Sequence, residues 1–199
     1  MSNQQRVTLL VVGLICLLAA SALVFAAGLP DRAAFTGRID AAGTRIAPEL
    51  GAQAPPFTTV LADGSTFNLA DLRDSAVVLN FWATWCGPCR VEMPELEALQ
   101  QAYGERGLVV VGVNTGEALD DVLDWRDNYA LTFPLALDPT GEISTLYAVR
   151  GQPETFVIAP NGEIVQIYFG PATRTTLEAV LRPYLETAFA PARTRESNA

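Results

Sequence analysis

Strand-like and helix-like patterns of hydrophobic residues alternate along residues 51–188 of the chain. Residues 76–83 and 108–114 are nearly uninterrupted apolar runs, which are typical of central strands covered on both faces of a sheet. Around them the sequence predicts hairpin strands at 57–60 and 65–68, a helix at 117–129, a strand at 133–137, a short helix at 142–147, a second hairpin at 155–159 and 163–169, and a closing helix at 173–189. This alternation predicts an α/β layered domain.

A further helix is predicted directly after the first central strand. Apolar positions recur along it at spacings of three and four residues, and one face contains Cys89, Glu92, Leu96, Leu99 and Tyr103. Four polar residues lie off that face and are predicted to be solvated: Glu95, Glu97, Gln100 and Gln101. Glu92 is a charged residue on an apolar face, so it either points into the domain or bends out to water as a partner of the helix dipole.

The N-terminal part of the chain has a different pattern. Residues 7–29 form an uncharged, mostly apolar run of 23 residues, whereas about 20 suffice to cross a bilayer and the core of a cleaved signal has about 7 to 15. We therefore predict a membrane anchor, with a cleaved signal as the alternative. The remaining segments are predicted to be a cytoplasmic stub at 1–6, a linker at 30–50 and a disordered tail at 189–199. A stub of six residues favours a domain on the extracytoplasmic side of the cell membrane.

Composition restricts the available chemistry. Histidine is absent, and all 13 basic residues are arginine, which excludes His-assisted nucleophiles, His-ligated metals and lysine Schiff bases. From Asp31 onward the chain has 12 arginines and 22 acidic residues, a net charge of −10, so a nucleic-acid partner is not expected. We predict no metal site, and any reaction must use Cys, Asp, Glu or hydroxyl groups.

Cys86 and Cys89 form a Cys-x-x-Cys motif between the first central strand and its following helix. A helix N-terminus stabilises an anion, and cysteines of such motifs have pKa values lowered from about 8.5 to roughly 3.5–7.5. We therefore predict that Cys86 is the nucleophile and that Cys89, one turn later, resolves the mixed disulfide. Glu92 is a candidate to exchange a proton with Cys89. The alternative interpretations of the Cys-x-x-Cys motif are a structural disulfide or half of a zinc site.

The sequence VVLNFWATWCGPCRVEMPELEAL, followed by VVGVN, FPLALDPTGEISTLYAV and GQPETFVIAPNGEIV, resembles the membrane-anchored thioredoxin-like proteins of the TlpA/ResA/CcmG (DsbE) type. The resemblance covers about residues 51–185. It implies a thioredoxin fold, in which a central mixed sheet is flanked by helices, with an N-terminal hairpin and a preceding transmembrane helix. It also implies a redox-active disulfide Cys86–Cys89 without a further cofactor, and a cis Pro153. The substrate-binding residues that it implies are Trp85, Gly87, Pro88, Gln152 and Pro153.

Differences from two related families, the thioredoxins and the peroxiredoxins, refine this resemblance. Thioredoxins have a buried aspartate six residues before the first cysteine, where this chain has Asn80, whereas ResA-like proteins have a proton-handling glutamate at the position of Glu92. The string from Gly151 to Phe156 is most similar to the CcmG branch, which is associated with the reduction of apocytochrome c. Peroxiredoxins share the general fold, but their Pro-x-x-x-Thr-x-x-Cys signature is missing before Cys86.

The resemblance implies an extracytoplasmic thiol-disulfide oxidoreductase that reduces protein disulfides such as those of apocytochrome c. A membrane thiol transporter of the CcdA or DsbD type is the implied electron donor. Two alternatives remain open at this point. The same residues would serve a disulfide-forming oxidase, and two thiols could also bind copper in a non-catalytic module.

Overall fold

The computed structural model describes residues 37–187 and, in the N-terminal part, residues 4, 5, 12, 13 and 19. The chain divides into two compact units between Gly37 and Arg38, and the five described residues of the first unit before Gly37 are helical. Within the described part of the chain, no helix combines the length and apolar character that membrane crossing requires. The predicted anchor at 7–29 lies outside the described residues except at positions 12, 13 and 19, and the predicted tail at 189–199 lies outside them entirely.

Nine strands occur among the described residues. They are β1 (Arg38–Ile39), β2 (Arg45–Ile46), β3 (Thr58–Val60), β4 (Thr66–Asn68), β5 (Ala76–Trp82), β6 (Leu108–Thr115), β7 (Leu135–Asp138), β8 (Glu154–Ile158) and β9 (Ile164–Phe169). Strands β5 to β9 form a five-stranded sheet in the order β7-β6-β5-β8-β9. Strands β5, β6 and β7 are parallel, while β8 and β9 are antiparallel to their neighbours. All seven residues of β5 are buried, which confirms the prediction of a central strand.

Helices cover both faces of this mixed sheet. They are α1 (Cys89–Tyr103), α2 (Leu119–Tyr129), α3 (Glu142–Leu146) and α4 (Arg174–Thr187), with short 3-10 turns at Leu69–Leu72 and Gly104–Arg106. Side chains of α1, α2 and α4 pack in one core cluster with one face of β5 and β6, while α3 and the β3–β4 hairpin pack in a second cluster with the opposite face. This layered arrangement confirms the α/β architecture expected from the sequence.

Part of the segment predicted as a linker requires correction. Within 30–50, strands β1 and β2 pair as a hairpin, and the Gln53 amide donates to the carbonyl of Arg45 at 2.8 Å. Ala47 is buried. Strands of two residues are too short to show alternation in the sequence, so the hydrophobic pattern did not reveal that the domain begins near residue 38.

The solvated polar residues predicted on α1 also require correction. The carboxylate of Glu97 is buried and accepts hydrogen bonds from the backbone N–H and the hydroxyl of Thr132, both at 2.8 Å. Gln100 is half-buried, and its side chain accepts a hydrogen bond from the Val110 amide at 2.8 Å. Both side chains lie off the apolar face, and each accepts a hydrogen bond from the backbone amide of a neighbouring segment. The spacing of apolar residues along a helix does not reveal such contacts.

Candidate active site

The cysteine pair lies where β5 leads into α1. The disulfide joins Cys86, in the turn after the strand, to Cys89, the first residue of the helix, with 5.3 Å between their Cα atoms. The amide of Cys89 donates to the Sγ of Cys86 at 3.2 Å. Cys86 is 3% exposed and Cys89 is fully buried. An incoming thiolate therefore reaches Cys86 first, and after reduction the helix N-terminus favours negative charge on that sulfur.

Glu92 points into the domain, one helical turn beyond Cys89. Its side chain is 1% exposed, and three donors from different elements surround its carboxyl group. Oε2 accepts from Asn80 Nδ2 of β5 at 2.9 Å. Oε1 accepts from the hydroxyl of Thr155 of β8 at 3.1 Å and from the amide of Ala172 at 2.9 Å. The arrangement fixes a carboxyl group beside the buried cysteine, since residues three apart on a helix have Cβ atoms about 5–6 Å apart.

Opposing effects determine the proton affinity of Glu92. Burial raises its pKa above the ordinary 4.5, while the hydrogen bonds from Ala172, Asn80 and Thr155 lower it, and burial is the largest effect. Asn80 also donates to Thr155 Oγ1 at 2.8 Å, but its own Oδ1 has no hydrogen-bond partner among the described residues. A carboxyl group held in this way can take up and release a proton next to Cys89.

Pro153 and Gln152 lie at the same end of the sheet. Glu154 pairs with Phe81 across β8 and β5, and Pro153 directly precedes it, close to where β5 ends and the cysteine turn begins. The Gln152–Pro153 peptide bond is cis, as the resemblance implies. The side-chain Oε1 of Gln152 is buried without a hydrogen-bond partner among the described residues. This segment therefore lies at the end of the sheet from which the cysteine turn starts, where an extended polypeptide could pair with its backbone.

Three large apolar side chains are exposed on elements that lie at the end of the sheet near the cysteine turn. Trp85 and Val91 are each 71% exposed, and Phe169, which pairs with Glu154 at the end of β9, is 69% exposed. Gly87 and Pro88, between the two cysteines, are also exposed. Large apolar side chains exposed near a reactive disulfide are available to contact the polypeptide that carries a client disulfide.

Several residues of the site were not predicted from the sequence. The carboxylate of Glu117, in the loop before α2, accepts a hydrogen bond from the backbone N–H of Thr84 at 2.7 Å and another from the Thr84 hydroxyl at 2.5 Å. Asn114 Nδ2 donates to the same carboxylate at 2.6 Å. Glu117 thereby ties the turn before Cys86 to the end of β6. Thr84 and Glu117 are 33 residues apart, and no local pattern connects them.

Comparison with known proteins gives consistent findings. Residues 50–167 match the AhpC/TSA family. The chain is 44% identical over 119 residues to the thiol-disulfide oxidoreductase ResA of Oceanobacillus iheyensis, a match that covers 60% of this chain and 62% of that protein. It is 33% identical over 178 residues to ResA of Geobacillus thermodenitrificans, covering 89% of this chain and 95% of the relative. A crystal structure from Chlorobium tepidum, described as a thiol:disulfide interchange protein DsbE, superposes with a TM-score of 0.65 at 33% identity, over 69% of this chain and 98% of that one.

Proposed function

Because the chain belongs to the AhpC/TSA family and is a thioredoxin-like thiol-disulfide oxidoreductase of the ResA and DsbE type, we propose that it works as a reductant of protein disulfides. The clients that we propose are disulfides such as those of apocytochrome c, since the string from Gly151 to Phe156 resembles the CcmG branch. The Cys86–Cys89 pair is the redox group of this proposal, and no other cofactor takes part.

The reaction proceeds through two exchanges. The Cys86 thiolate attacks one sulfur of the client disulfide, and the other client sulfur leaves as a thiolate that takes up a proton. The Cys89 thiol then gives its proton to the Glu92 carboxylate and attacks Sγ of Cys86, and the second client sulfur leaves as a thiolate that takes up a proton. Counted from the dithiol, the protein loses two electrons and two protons, one when Cys86 ionises and one from Cys89 through Glu92, and the client gains two of each.

One observation carries the direction of this reaction, namely the buried carboxyl of Glu92 beside Cys89. A strongly oxidising pair of this kind owes its potential to a stabilised reduced form. Here a carboxylate in a buried site destabilises a neighbouring thiolate, and the three donors from which it accepts, on Asn80, Thr155 and Ala172, are uncharged. Such an environment favours the disulfide of this protein and makes its dithiol a good electron donor.

The proposal includes a location and an electron source. The apolar residues 7–29 anchor the chain in the cell membrane, with the thioredoxin-like domain on the extracytoplasmic side. A membrane thiol transporter of the CcdA or DsbD type returns electrons to the pair. In intact cells, a thiol reagent that cannot cross the membrane should label reduced Cys86. Labelling only after cell lysis would contradict this location.

The first experiment measures the reduction potential of the Cys86–Cys89 couple in the full chain, by equilibration with a dithiothreitol or glutathione series. A potential below about −220 mV supports a reductant. A potential near the oxidising end of the range, about −120 mV, would instead make the protein a disulfide-forming oxidase. The absence of a reversible couple would favour a thiol-binding module, which copper titration of the reduced chain would then reveal.

The second experiment follows turnover with an oxidised peptide that carries the Cys-x-x-Cys-His haem-attachment motif. The reduced chain should open this disulfide. The Cys86→Ser variant should be inactive, whereas Cys89→Ser should accumulate a mixed disulfide with the peptide, which mass spectrometry detects. An active Cys86→Ser variant would overturn the assigned mechanism.

A further inference from the structure

A groove runs beside the cysteine turn, between the start of α1 and the exposed side of α2. Its cavity has a volume of about 580 Å³. One wall is formed by Thr84, Trp85 and Arg90, which are close to Cys86 in the sequence. The other wall comes from α2 and consists of Asp121, Asp124, Trp125, Asn128 and Tyr129. The redox reaction described above uses none of the α2 residues.

The walls of this groove combine aromatic rings with carboxylates. Trp125 is 7% exposed, stacks on Tyr129 with ring centroids 4.7 Å apart, and packs against Trp82 at 5.5 Å. Its Nε1 has no hydrogen-bond partner among the described residues. Asp121 and Asp124 are exposed on the same wall. Aromatic faces beside carboxylates are the chemistry that binds a cationic side chain, through ring electrostatics and charge attraction.

The groove already shows this mode of binding within the chain. The guanidinium carbon of Arg90 lies 5.6 Å from the centroid of the Trp125 ring. The groove lining contains two carboxylates, Asp121 and Asp124, and one guanidinium, that of Arg90, so its net charge is negative. A second cation placed along the exposed ring of Trp85 would meet both an aromatic face and uncompensated acidic charge.

We propose that this groove selects client polypeptides that carry a lysine or arginine close to the cysteine that Cys86 attacks. The inference rests on the proposed function and names the substrate class of the same site. The occupant is the client segment next to its disulfide, with the cationic head at Asp121 and Asp124 and the aliphatic stem against Trp85. Charge complementarity and the position of the groove beside Cys86 support this occupant over a neutral or acidic segment.

The experiment compares disulfide peptides that differ at one position two residues from a cysteine, where one peptide has lysine and the other has norleucine, which keeps the stem without the charge. The reduced full chain should show a kcat/KM about three- to tenfold higher for the lysine peptide at low ionic strength. The preference should shrink as salt is added, because exposed charges are screened.

Two variants separate the groove from the general charge of the protein. The double variant Asp121→Asn/Asp124→Asn should bring the lysine-to-norleucine ratio close to one while the reduction potential stays unchanged. The control Asp120→Asn removes a neighbouring charge on α2 that does not line the groove, and it should keep the preference. A ratio near one in the unchanged protein, an undiminished ratio in the double variant, or an equal loss in the control would each overturn the proposal.

Failure of the proposed function gives a different result. Turnover of the norleucine peptide by the reduced chain reports the reductase activity without any contribution from charge. If neither peptide is reduced and the potential is oxidising, the direction of the reaction is wrong, and the same pair of peptides, supplied as dithiols, tests the groove during oxidation. A lysine preference in that direction would support the groove although the reductase function had failed.

Discussion

The carboxyl of Glu92 is buried among donors from β5, β8 and the Ala172 backbone, so its charge bears on the stability of the fold and, in the proposed mechanism, on the redox pair. A glutamine at this position can keep its oxygen toward Ala172 and Thr155, and its amide can face the unpaired Oδ1 of Asn80 after that side chain turns over. The substitution Glu92→Gln is therefore a test of charge with little change in shape.

We predict that Glu92→Gln moves the titration of the buried thiol to lower pH and raises the reduction potential by an amount on the order of 10–30 mV, since about 30 mV corresponds to 1.4 kcal/mol. The reason is that a neighbouring negative charge no longer opposes the thiolate. Thiol alkylation rates across pH and a dithiothreitol series measure the two effects. Glu95→Gln removes the same charge from the same helix and should leave both values unchanged. An unaltered thiol titration in Glu92→Gln would remove Glu92 from proton handling.

The raised pKa of Glu92 also predicts how stability depends on pH. Burial raises its pKa above the ordinary 4.5, so the folded chain binds more protons than the unfolded chain at pH values between the unfolded and folded pKa. The free energy of unfolding must therefore decrease as pH rises from about 4.5 through the folded pKa. Glu154, whose pKa is raised chiefly by burial, contributes with the same sign.

Urea unfolding of the oxidised chain at a series of pH values from about 4.5 to 8 measures this effect. Because Glu154 is present in both proteins, the informative quantity is the difference between the parent and Glu92→Gln. That difference should shift in favour of the variant as pH rises. A constant difference would mean that the folded carboxyl has an ordinary proton affinity.

Residues of the site differ in how far the sequence reveals them. Asn80 is a polar residue inside an apolar strand and Glu92 is a charged residue on an apolar helix face, so the hydrophobic pattern identifies both as unusual. The pattern does not show that they contact each other at 2.9 Å, nor that Thr155 joins them. Contacts between distant segments depend on sheet register, which a single sequence leaves undetermined.

Helices and strands were also predicted best where the signal is local in the sequence, and less well where a contact with a distant segment sets a boundary. Long apolar runs and the Pro160-Asn161-Gly162 turn predicted β5, β6 and the β8–β9 hairpin to within about one residue. The β7 strand begins at Leu135 rather than at the predicted residue 133, although the carbonyl of Pro134 already accepts from Gly112 at 3.0 Å. Helix α2 begins at Leu119 instead of residue 117, because Glu117 is engaged with Thr84 in the preceding loop.

The hydrogen bonds between Thr84 and Glu117 lead to a prediction about how the loop before α2 positions Cys86. Glu117→Ala should leave the amide of Thr84 and the buried side chain of Asn114 without their partner, and should lower the free energy of unfolding by about 1–3 kcal/mol. Turnover should also slow, because the turn that leads to Cys86 is no longer tied to β6. Glu117→Gln retains an acceptor oxygen and should recover most of the rate.

Urea denaturation and peptide reduction by the same preparations check both effects of Glu117→Ala. Glu105→Ala, at an exposed site in the turn after α1, is the matched control and should change neither. If Glu117→Ala lowers stability but turns over at the parental rate under stabilising conditions, the carboxylate supports only the fold and does not position Cys86.

For the whole molecule, redox state and folding stability are linked. Both the folded and the unfolded chain can be oxidised or reduced. The difference in unfolding free energy between the oxidised and reduced forms is therefore proportional to the difference in reduction potential between the folded and the unfolded cysteine pair. Oxidation adds no long loop constraint, because the cysteines are three residues apart. The difference between the two forms therefore reports mainly how the folded site treats the two thiols.

A buried carboxyl beside Cys89 disfavours the thiolate and lowers the folded potential relative to the unfolded one. We predict that the oxidised form is the more stable, by about 1.4 kcal/mol for each 30 mV of that difference. Urea titrations with and without dithiothreitol measure this in a Cys16→Ser background, so that the reagent acts on one pair of cysteines. The Cys86→Ser/Cys89→Ser variant should be insensitive to the reagent. If the reduced form were the more stable, the folded site would favour the dithiol, which is the property of an oxidant, and the proposed direction of electron flow would have to be reversed.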